Sequence, residues 1–144
     1  MDRVFVDTNI LLDVLFVRDG YQASLELLQL GEEKKAELCT SVLSMANIAY
    51  ILRKTFSSGE RAGTLAQLSS MMRILPMDAN QFSNALLLDA PDFEDALQVV
   101  CASASACDIL VTHNTKDFVI GQGLSKNVHL PRIITPESYV QTIK

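Results

Sequence analysis

Two short apolar runs, each followed at once by polar residues, constrain the fold of this chain more than any other feature. They are residues 4–6 in VFVDTN and residues 109–111 in ILVTHN. β-Branched and aromatic residues favour strands, and a strand without polar alternation is typical of burial on both faces. Helical patterns lie between the two runs. The alternation of strands and helices predicts a parallel α/β sandwich.

Two amphipathic segments in the first half of the chain predict helices. The apolar residues of the segment 21–30 predict a helix that Gly31 ends as a C-cap. A second helix is predicted from Ser41 to about residue 54. One face of this helix is expected to carry a polar strip, made of Thr40, Ser44 and Asn47.

The second half of the chain adds a short strand and a long helix. Residues 74–77 predict a strand near an edge of the sheet, because Pro76 cannot donate a ladder hydrogen bond. Asp92 is a good N-cap for the helix that follows it. That helix has an apolar stripe at helical spacing, which consists of Phe93, Ala96, Leu97, Val100, Cys101 and Ala104.

The composition is that of a globular domain. Hydrophobic residues make up 49% and charged residues 20% of the 144 residues, which we assign to one domain over residues 1–144. The net charge of −5 argues against a broad basic surface for nucleic acid. A local basic groove stays open, because five cations could gather on one side: Arg53, Lys54, Lys116, Lys126 and Arg132.

The cysteines and the N-terminal segment bear on the compartment. Cys39, Cys101 and Cys107 form no CxxC pair, so buried free thiols in a reducing cytoplasm are favoured over a zinc site. The first residues lack the pattern of a signal peptide. No apolar run approaches the ~20 residues of a membrane span. We therefore expect a soluble, cytoplasmic protein.

Acidic side chains follow both apolar runs, at the edge where ligands bind in open α/β sheets. Asp7 follows the first run, Asp117 comes shortly after the second, and Asp95 lies near the start of the predicted helix. These three carboxylates converge if the two strands are neighbours. Crowded carboxylates need a counter-charge, which Mg²⁺ or Mn²⁺ supplies through oxygen ligands. The pattern indicates metal-assisted hydrolysis of phosphodiester bonds.

A purely structural interpretation of these residues stays open. Asp is a favoured N-cap, so Asp7 or Asn9 would equally satisfy free backbone N–H groups at the start of a helix. His113, a single histidine beside an oxygen-rich site, is interpreted as incidental. The sequence lacks a Gly-rich phosphate loop, the second acid of a haloacid dehalogenase and the nucleophile elbow of a serine hydrolase.

Four segments resemble the PIN domain family, and specifically its short VapC-like ribonuclease toxins. They are VFVDTNILLD, SVLSMANIAYIL, FEDALQ and ILVTHNTKDF, and IITPESYV resembles the family's closing strand and helix. The resemblance covers essentially the whole chain. It implies a three-layer α/β/α sandwich around a central, mainly parallel sheet. It also implies an endoribonuclease that depends on Mg²⁺ or Mn²⁺, with an RNA substrate, a small antitoxin partner and a homodimeric state.

The same resemblance implies roles for individual residues. The expected metal ligands are Asp7, Asp95 and Asp117, and Asn47 joins them in the catalytic set. Asp13 is expected to be structural or to support the ligands. The residues expected to contact substrate or to orient the ligands are Thr8, Asn9, Asp92, Thr112 and Asn114.

Position 47 departs from the family pattern. Family members commonly have a Glu in this helix, whereas this chain has Asn47. An amide oxygen can ligate a metal but carries no charge, and fewer carboxylates bind divalent cations more weakly. The structural alternative is a buried Asn satisfied by the backbone. Two functions therefore stay open: a ribonuclease toxin, and a catalytically weak module that binds RNA or protein.

Overall fold

The computed structural model describes residues 1–88, 90–118 and 129–143. Its five strands are β1 (Asp2–Val6), β2 (Ala36–Ser41), β3 (Arg73–Leu75), β4 (Ile109–Val111) and β5 (Arg132–Ile134). The helices of these ranges are α1 (Thr8–Phe16), α2 (Tyr21–Glu32), α3 (Val42–Leu52), α4 (Ser58–Met71), α5 (Ala79–Leu86), α6 (Phe93–Ala104) and α7 (Pro136–Ile143). A 3₁₀ helix, Thr115–Phe118, follows β4. None of the helices described is long and apolar enough to cross a membrane.

The five strands form one parallel sheet in the order β3-β2-β1-β4-β5. β1 is the central strand, and its Val4 pairs with Leu38 of β2 and with Ile109 of β4. The two apolar runs singled out in the sequence are therefore neighbours. β3 is an edge strand, as predicted, and it ends at Leu75, directly before Pro76.

Alternate residues of β1 face opposite layers of the molecule. Val4 and Val6 belong to a core that they share with α1, α2, α3, α4 and α7. Phe5 belongs to the core on the other face, against α6, and α5 packs on α6. The predicted three-layer α/β/α sandwich is confirmed.

The three cysteines are structural residues of the α6 side of the sheet. Cys39, Cys101 and Cys107 are all buried and unpaired. Burial raises the pKa of Cys101 to about 12, which is typical of an inert thiol.

The predicted C-cap at Gly31 is wrong. α2 continues through this residue to Glu32. A Cβ atom at Gly31 would lie 2.5 Å from Cδ1 of Leu38 in β2. A Cβ atom here would therefore require the Leu38 side chain to shift, and glycine allows α2 to approach the sheet closely. Local sequence patterns do not show this contact.

The predicted polar strip on α3 is also wrong at one position. Thr40 lies in β2 and not on the helix, and its hydroxyl donates to the carbonyl oxygen of Val6 at 2.8 Å. α3 begins only at Val42, with Ser41 as its N-cap. Thr40 thus joins two strands, and Ser44 and Asn47 are left as the polar residues of the strip.

We expect Gly31→Ala to destabilise the fold by about 1–3 kcal/mol, the usual effect of an overpacked core. The added methyl group would lie 2.5 Å from Cδ1 and 2.7 Å from Cγ of Leu38. The control is Gly63→Ala in α4, where no heavy atom lies within 4 Å of the Cβ position. That change should stabilise by roughly 0.5–1 kcal/mol through helix propensity. Urea unfolding measures both, and equal effects would contradict the close packing at Gly31.

Candidate active site

Asp7 lies at the carboxyl end of the central strand, where the strand order reverses. β2 and β3 follow β1 in one direction, and β4 and β5 lie on its other side. Such a switch point is the usual ligand site of an open α/β sheet. Asp7 is only 6% exposed. The sheet therefore holds a buried carboxylate at the position where its topology favours a binding site.

Both oxygens of the Asp7 carboxylate accept hydrogen bonds. Oδ1 accepts from the backbone N–H of Thr8 at 2.8 Å, and Oδ2 accepts from the hydroxyl of Thr112 at 2.9 Å. The Thr112 hydroxyl also accepts from the backbone N–H of Asn114 at 3.2 Å. Asp7 is the N-cap of α1, but its bond to Thr112 connects β1 to the end of β4 and does nothing for the helix. Capping thus accounts for only half of the contacts of this carboxylate.

The surroundings of Asp7 disfavour its ionised form. Burial is the main cause that raises the pKa of Asp7, and the hydrogen bonds from Thr112 and Thr8 oppose this effect. The negative charge of Glu94 raises the pKa further, whereas His113 lowers it. Among the described residues, no Lys or Arg forms an ion pair with Asp7 or Glu94. Within the described residues, the two carboxylates therefore leave an excess of negative charge at this edge.

Glu94 is a site residue that the sequence analysis missed. It lies in the first turn of α6, and its Oε1 accepts from Nδ2 of Asn47 in α3 at 2.6 Å. Asn47 therefore has a side-chain partner on another helix. The structural alternative, an Asn satisfied by the backbone, does not describe this contact. The signal in the sequence was the pair of consecutive acids in FEDALQ, of which only Asp95 was singled out.

A buried hydrogen-bond network begins at Thr8, the residue that follows Asp7. The Thr8 hydroxyl donates to Oγ of Ser44 at 2.9 Å, and Nε2 of Gln98 donates to the same Oγ at 2.7 Å. The Ser41 hydroxyl donates to Oε1 of Gln98 at 2.6 Å. Thr8, Ser41, Ser44 and Gln98 are all buried. The network connects the starts of α1 and α3 to α6, and these helices carry Thr8, Asn47 and Glu94.

The other predicted site residues lie at varying distances from this centre. Asn9 is exposed on α1, and it forms no side-chain hydrogen bond with the part of the chain that is described. Asp92 is exposed and caps α6 by accepting from the N–H of Asp95 at 3.1 Å, while Asp95 itself is half-buried in the first turn. Asn114 is exposed after β4. Asp117 belongs to the 3₁₀ helix, but its side chain lies outside the described part of the structure.

His113 is part of a second cluster beside Asp7. Its Nε2 is hydrogen-bonded to Oδ2 of Asp13, which is buried in α1. The Ser24 hydroxyl donates to the same oxygen at 3.3 Å, and Arg18 lies 3.9 Å from Oδ1. Asp13 thus orients the His113 ring. The sequence analysis, which interpreted His113 as incidental, did not predict this contact.

The side chains at this edge offer oxygen donors for a hard cation. Asp7 and Glu94 supply carboxylates, and Asn47, whose Nδ2 donates to Glu94, adds the amide oxygen Oδ1. Within the residues described, no three His, Cys, Asp or Glu side chains group tightly enough to hold a metal by themselves. Mg²⁺ is usually bound by one or two carboxylates and keeps several waters. The chemistry of this donor set fits such an ion.

Gln98→Met is expected to lower the free energy of unfolding by about 1–3 kcal/mol. Met fills a similar volume but leaves the buried Ser44 hydroxyl without its Gln98 donor and the Ser41 hydroxyl without its 2.6 Å acceptor. An unsatisfied buried polar group costs that amount. The control is Gln22→Met on the exposed face of α2, where a change within about 0.5 kcal/mol is expected. Urea unfolding with no loss at Gln98 would argue against the network as a structural element.

Asp7→Asn is expected to raise the melting temperature at pH 7 when EDTA is present. The folded pKa of Asp7 lies above its ordinary value of 3.8. As the pH rises through the folded pKa, ionisation of Asp7 therefore lowers the free energy of unfolding. Below the ordinary pKa, Asp7 is protonated in both the folded and the unfolded protein, and this loss of stability disappears. Asn keeps the shape and removes the charge. The difference between the two proteins should shrink as the pH falls towards 4.

The control for this experiment is Asp78→Asn, because Asp78 is an exposed N-cap of α5 and Asn caps as well as Asp. It should change the melting temperature little at either pH. A variant at Asp7 that melts below the parent protein at pH 7 would mean that hydrogen bonding, and not burial of charge, dominates at this position.

Comparisons with known proteins identify the fold family. The sequence model of the PIN domain matches residues 3–116. The VapBC2 complex of Rickettsia felis, bound to a DNA fragment from its promoter, is similar at 22% identity and a TM-score of 0.63, over 90% of this chain and 96% of that one. No curated protein matches the chain.

Two further solved structures are similar in fold. A toxin–antitoxin complex from Klebsiella pneumoniae has 19% identity and a TM-score of 0.63, over 92% of this chain and 97% of that one. FitAcB from Neisseria gonorrhoeae has 14% identity and a TM-score of 0.65, over 93% and 98%. At these identities the likeness shows the fold alone, and the family follows from the sequence match. The chain belongs to the PIN domain family.

Proposed function

We propose that this chain is an endoribonuclease that depends on Mg²⁺ or Mn²⁺ and acts as the toxin of a toxin–antitoxin pair. PIN domains are generally nucleases, and similar folds occur in toxin–antitoxin complexes. The observation that carries the proposal is the buried carboxylate of Asp7, fixed by two hydrogen bonds at the switch point of the sheet.

In this proposal the acidic edge holds the cation. Asp7, Asp95 and Asp117 are the proposed ligands, and Asn47 offers an uncharged amide oxygen. A bound divalent cation lowers the pKa of water and neutralises charge on a scissile phosphate. Thr8 and Thr112 fix the Asp7 carboxylate before any ligand arrives, so little side-chain order is lost on binding. Supporting residues of this kind tune metal affinity even though they do not touch the ion.

The surface of α3 supports RNA as the substrate. Tyr50 lies one turn beyond Asn47 and is 64% exposed, and the guanidinium of Arg53 stacks 3.9 Å from its ring centroid. Exposed aromatic rings stack on unpaired bases, and Arg adds attraction to phosphate. With a net charge of −5, RNA binding would depend on such local patches rather than on the whole surface.

Two protein partners belong to the same proposal. An antitoxin is proposed because similar chains occur in VapBC complexes. A second copy of the chain is proposed as a partner for the α5–α6 side, where Phe82 and Phe93 meet edge to face at 5.3 Å while both rings stay partly exposed. Large exposed aromatic residues are typical of protein interfaces. The cytoplasm is the proposed compartment, in keeping with three unpaired thiols.

One observation favours a second candidate function. Asn47 is uncharged, and its Nδ2 is taken by Glu94, so this position adds an amide oxygen but no carboxylate to the site. A site of low charge binds divalent cations weakly. The same fold would then bind RNA or a partner protein without cutting.

Cleavage of a single-stranded RNA in Mn²⁺, and no cleavage in EDTA, is the expected result for the parent protein. Asp7→Asn should reduce the rate roughly 10²-fold or more, because the metal contributes several kcal/mol to the reaction. Asp78→Asn is the matched control, since it also replaces an N-cap aspartate. On induced expression, the parent should arrest growth and Asp7→Asn should not. RNA binding without cleavage, unchanged by Asp7→Asn, would favour the binding module instead.

A further inference from the structure

The hydrogen bond between Asn47 and Glu94 orders an acidic side chain that would otherwise extend into solvent. Glu94 is exposed, and exposed glutamates in a first helical turn ordinarily need no partner, because the helix dipole already favours them. Here Nδ2 of Asn47 donates to Oε1 of Glu94 at 2.6 Å, across the gap between α3 and α6. A neutral residue on one helix thus holds a carboxylate of the other.

The buried network places the pair of Asn47 and Glu94 beside Asp7. Ser44 lies one turn before Asn47 and Gln98 lies one turn after Glu94, and both are hydrogen-bonded to the hydroxyl of Thr8, the residue that follows Asp7. The acidic excess at the switch point is therefore shared between β1 and α6. Asn47, the α3 residue at this edge, contributes a donor and an amide oxygen but no charge.

We propose that Glu94 supplies the carboxylate that position 47 lacks, as a ligand or water-mediated contact of the divalent cation, and that Asn47 is the residue that positions it. This inference rests on the metal-dependent function proposed above. It assigns the acid of this part of the site to α6 rather than α3. The donor that holds Glu94 is an amide, which leaves the negative charge of the carboxylate intact for a cation.

Mn²⁺ binding to the folded protein tests the inference without any need for activity. Free Mn²⁺ is measured by electron paramagnetic resonance during titration. Glu94→Gln should weaken binding by at least about tenfold, since charge count sets affinity in such sites. The matched control is Glu137→Gln, which removes an exposed acid from the first turn of α7 and so changes the helix dipole in the same way. It should leave Mn²⁺ binding unchanged.

Two variants of Asn47 test its positioning role. Asn47→Ala should weaken Mn²⁺ binding in the parent protein, but should have no further effect once Glu94 is Gln, since the two changes would remove one interaction. The double variant Asn47→Glu with Glu94→Gln moves the carboxylate back to α3 and should restore binding to within a few-fold of the parent. If Asn47 and Glu94 served only to stabilise the fold, this exchange would not restore Mn²⁺ binding.

The outcomes separate this inference from the proposed function. Mn²⁺ binding that is lost in Asp7→Asn but unchanged in Glu94→Gln would overturn the role of Glu94 and leave the metal-dependent nuclease standing. A parent protein that binds no Mn²⁺ would overturn both. Circular dichroism tests whether each variant is folded. A loss of Mn²⁺ binding in a folded Glu94→Gln protein supports the inference.

Discussion

The amide of Gln98 is the contact on which the geometry of the edge depends. Its Oε1 accepts from Ser41 and its Nε2 donates to Ser44, in a buried region between the start of α3 and α6. An amide in such a place is stable only if each polar atom has a partner, so the helices cannot slide past one another without losing one. Apolar contacts alone would tolerate such sliding more readily. The spacing between Asn47 and Glu94 follows from this fixed contact.

The like charges of Asp7 and Glu94 repel each other at the candidate site. Asp7 is buried where water cannot solvate it fully, and Glu94 adds a second negative charge. Hydrogen bonds from neutral groups orient these acids without cancelling their charge. Burial and like charge raise the free energy of the folded state at these acids, and the rest of the buried core offsets this cost.

Much of the fold and part of the site could be predicted from the sequence, for reasons that are local. The apolar run of β1 requires burial on both faces, and Asp7 after it belongs to the carboxyl edge of a parallel sheet. The role of Gly31 could not be predicted, because this glycine allows a close contact with Leu38 of β2 and does not end a helix. Glu94 was missed because periodicity assigns a residue to a helix turn but does not name its partner on another helix.

The strand order also decides when the site can form during synthesis of the chain. β1 is made first, but one of its two neighbours is β4, and Thr112, which binds Asp7, comes 105 residues later. Contacts so distant in sequence form slowly and only after both segments have left the ribosome. A nascent chain therefore carries Asp7 on a half-paired strand until β4 has been made. The edge of the sheet that holds Asp7 is complete only after synthesis has passed Thr112.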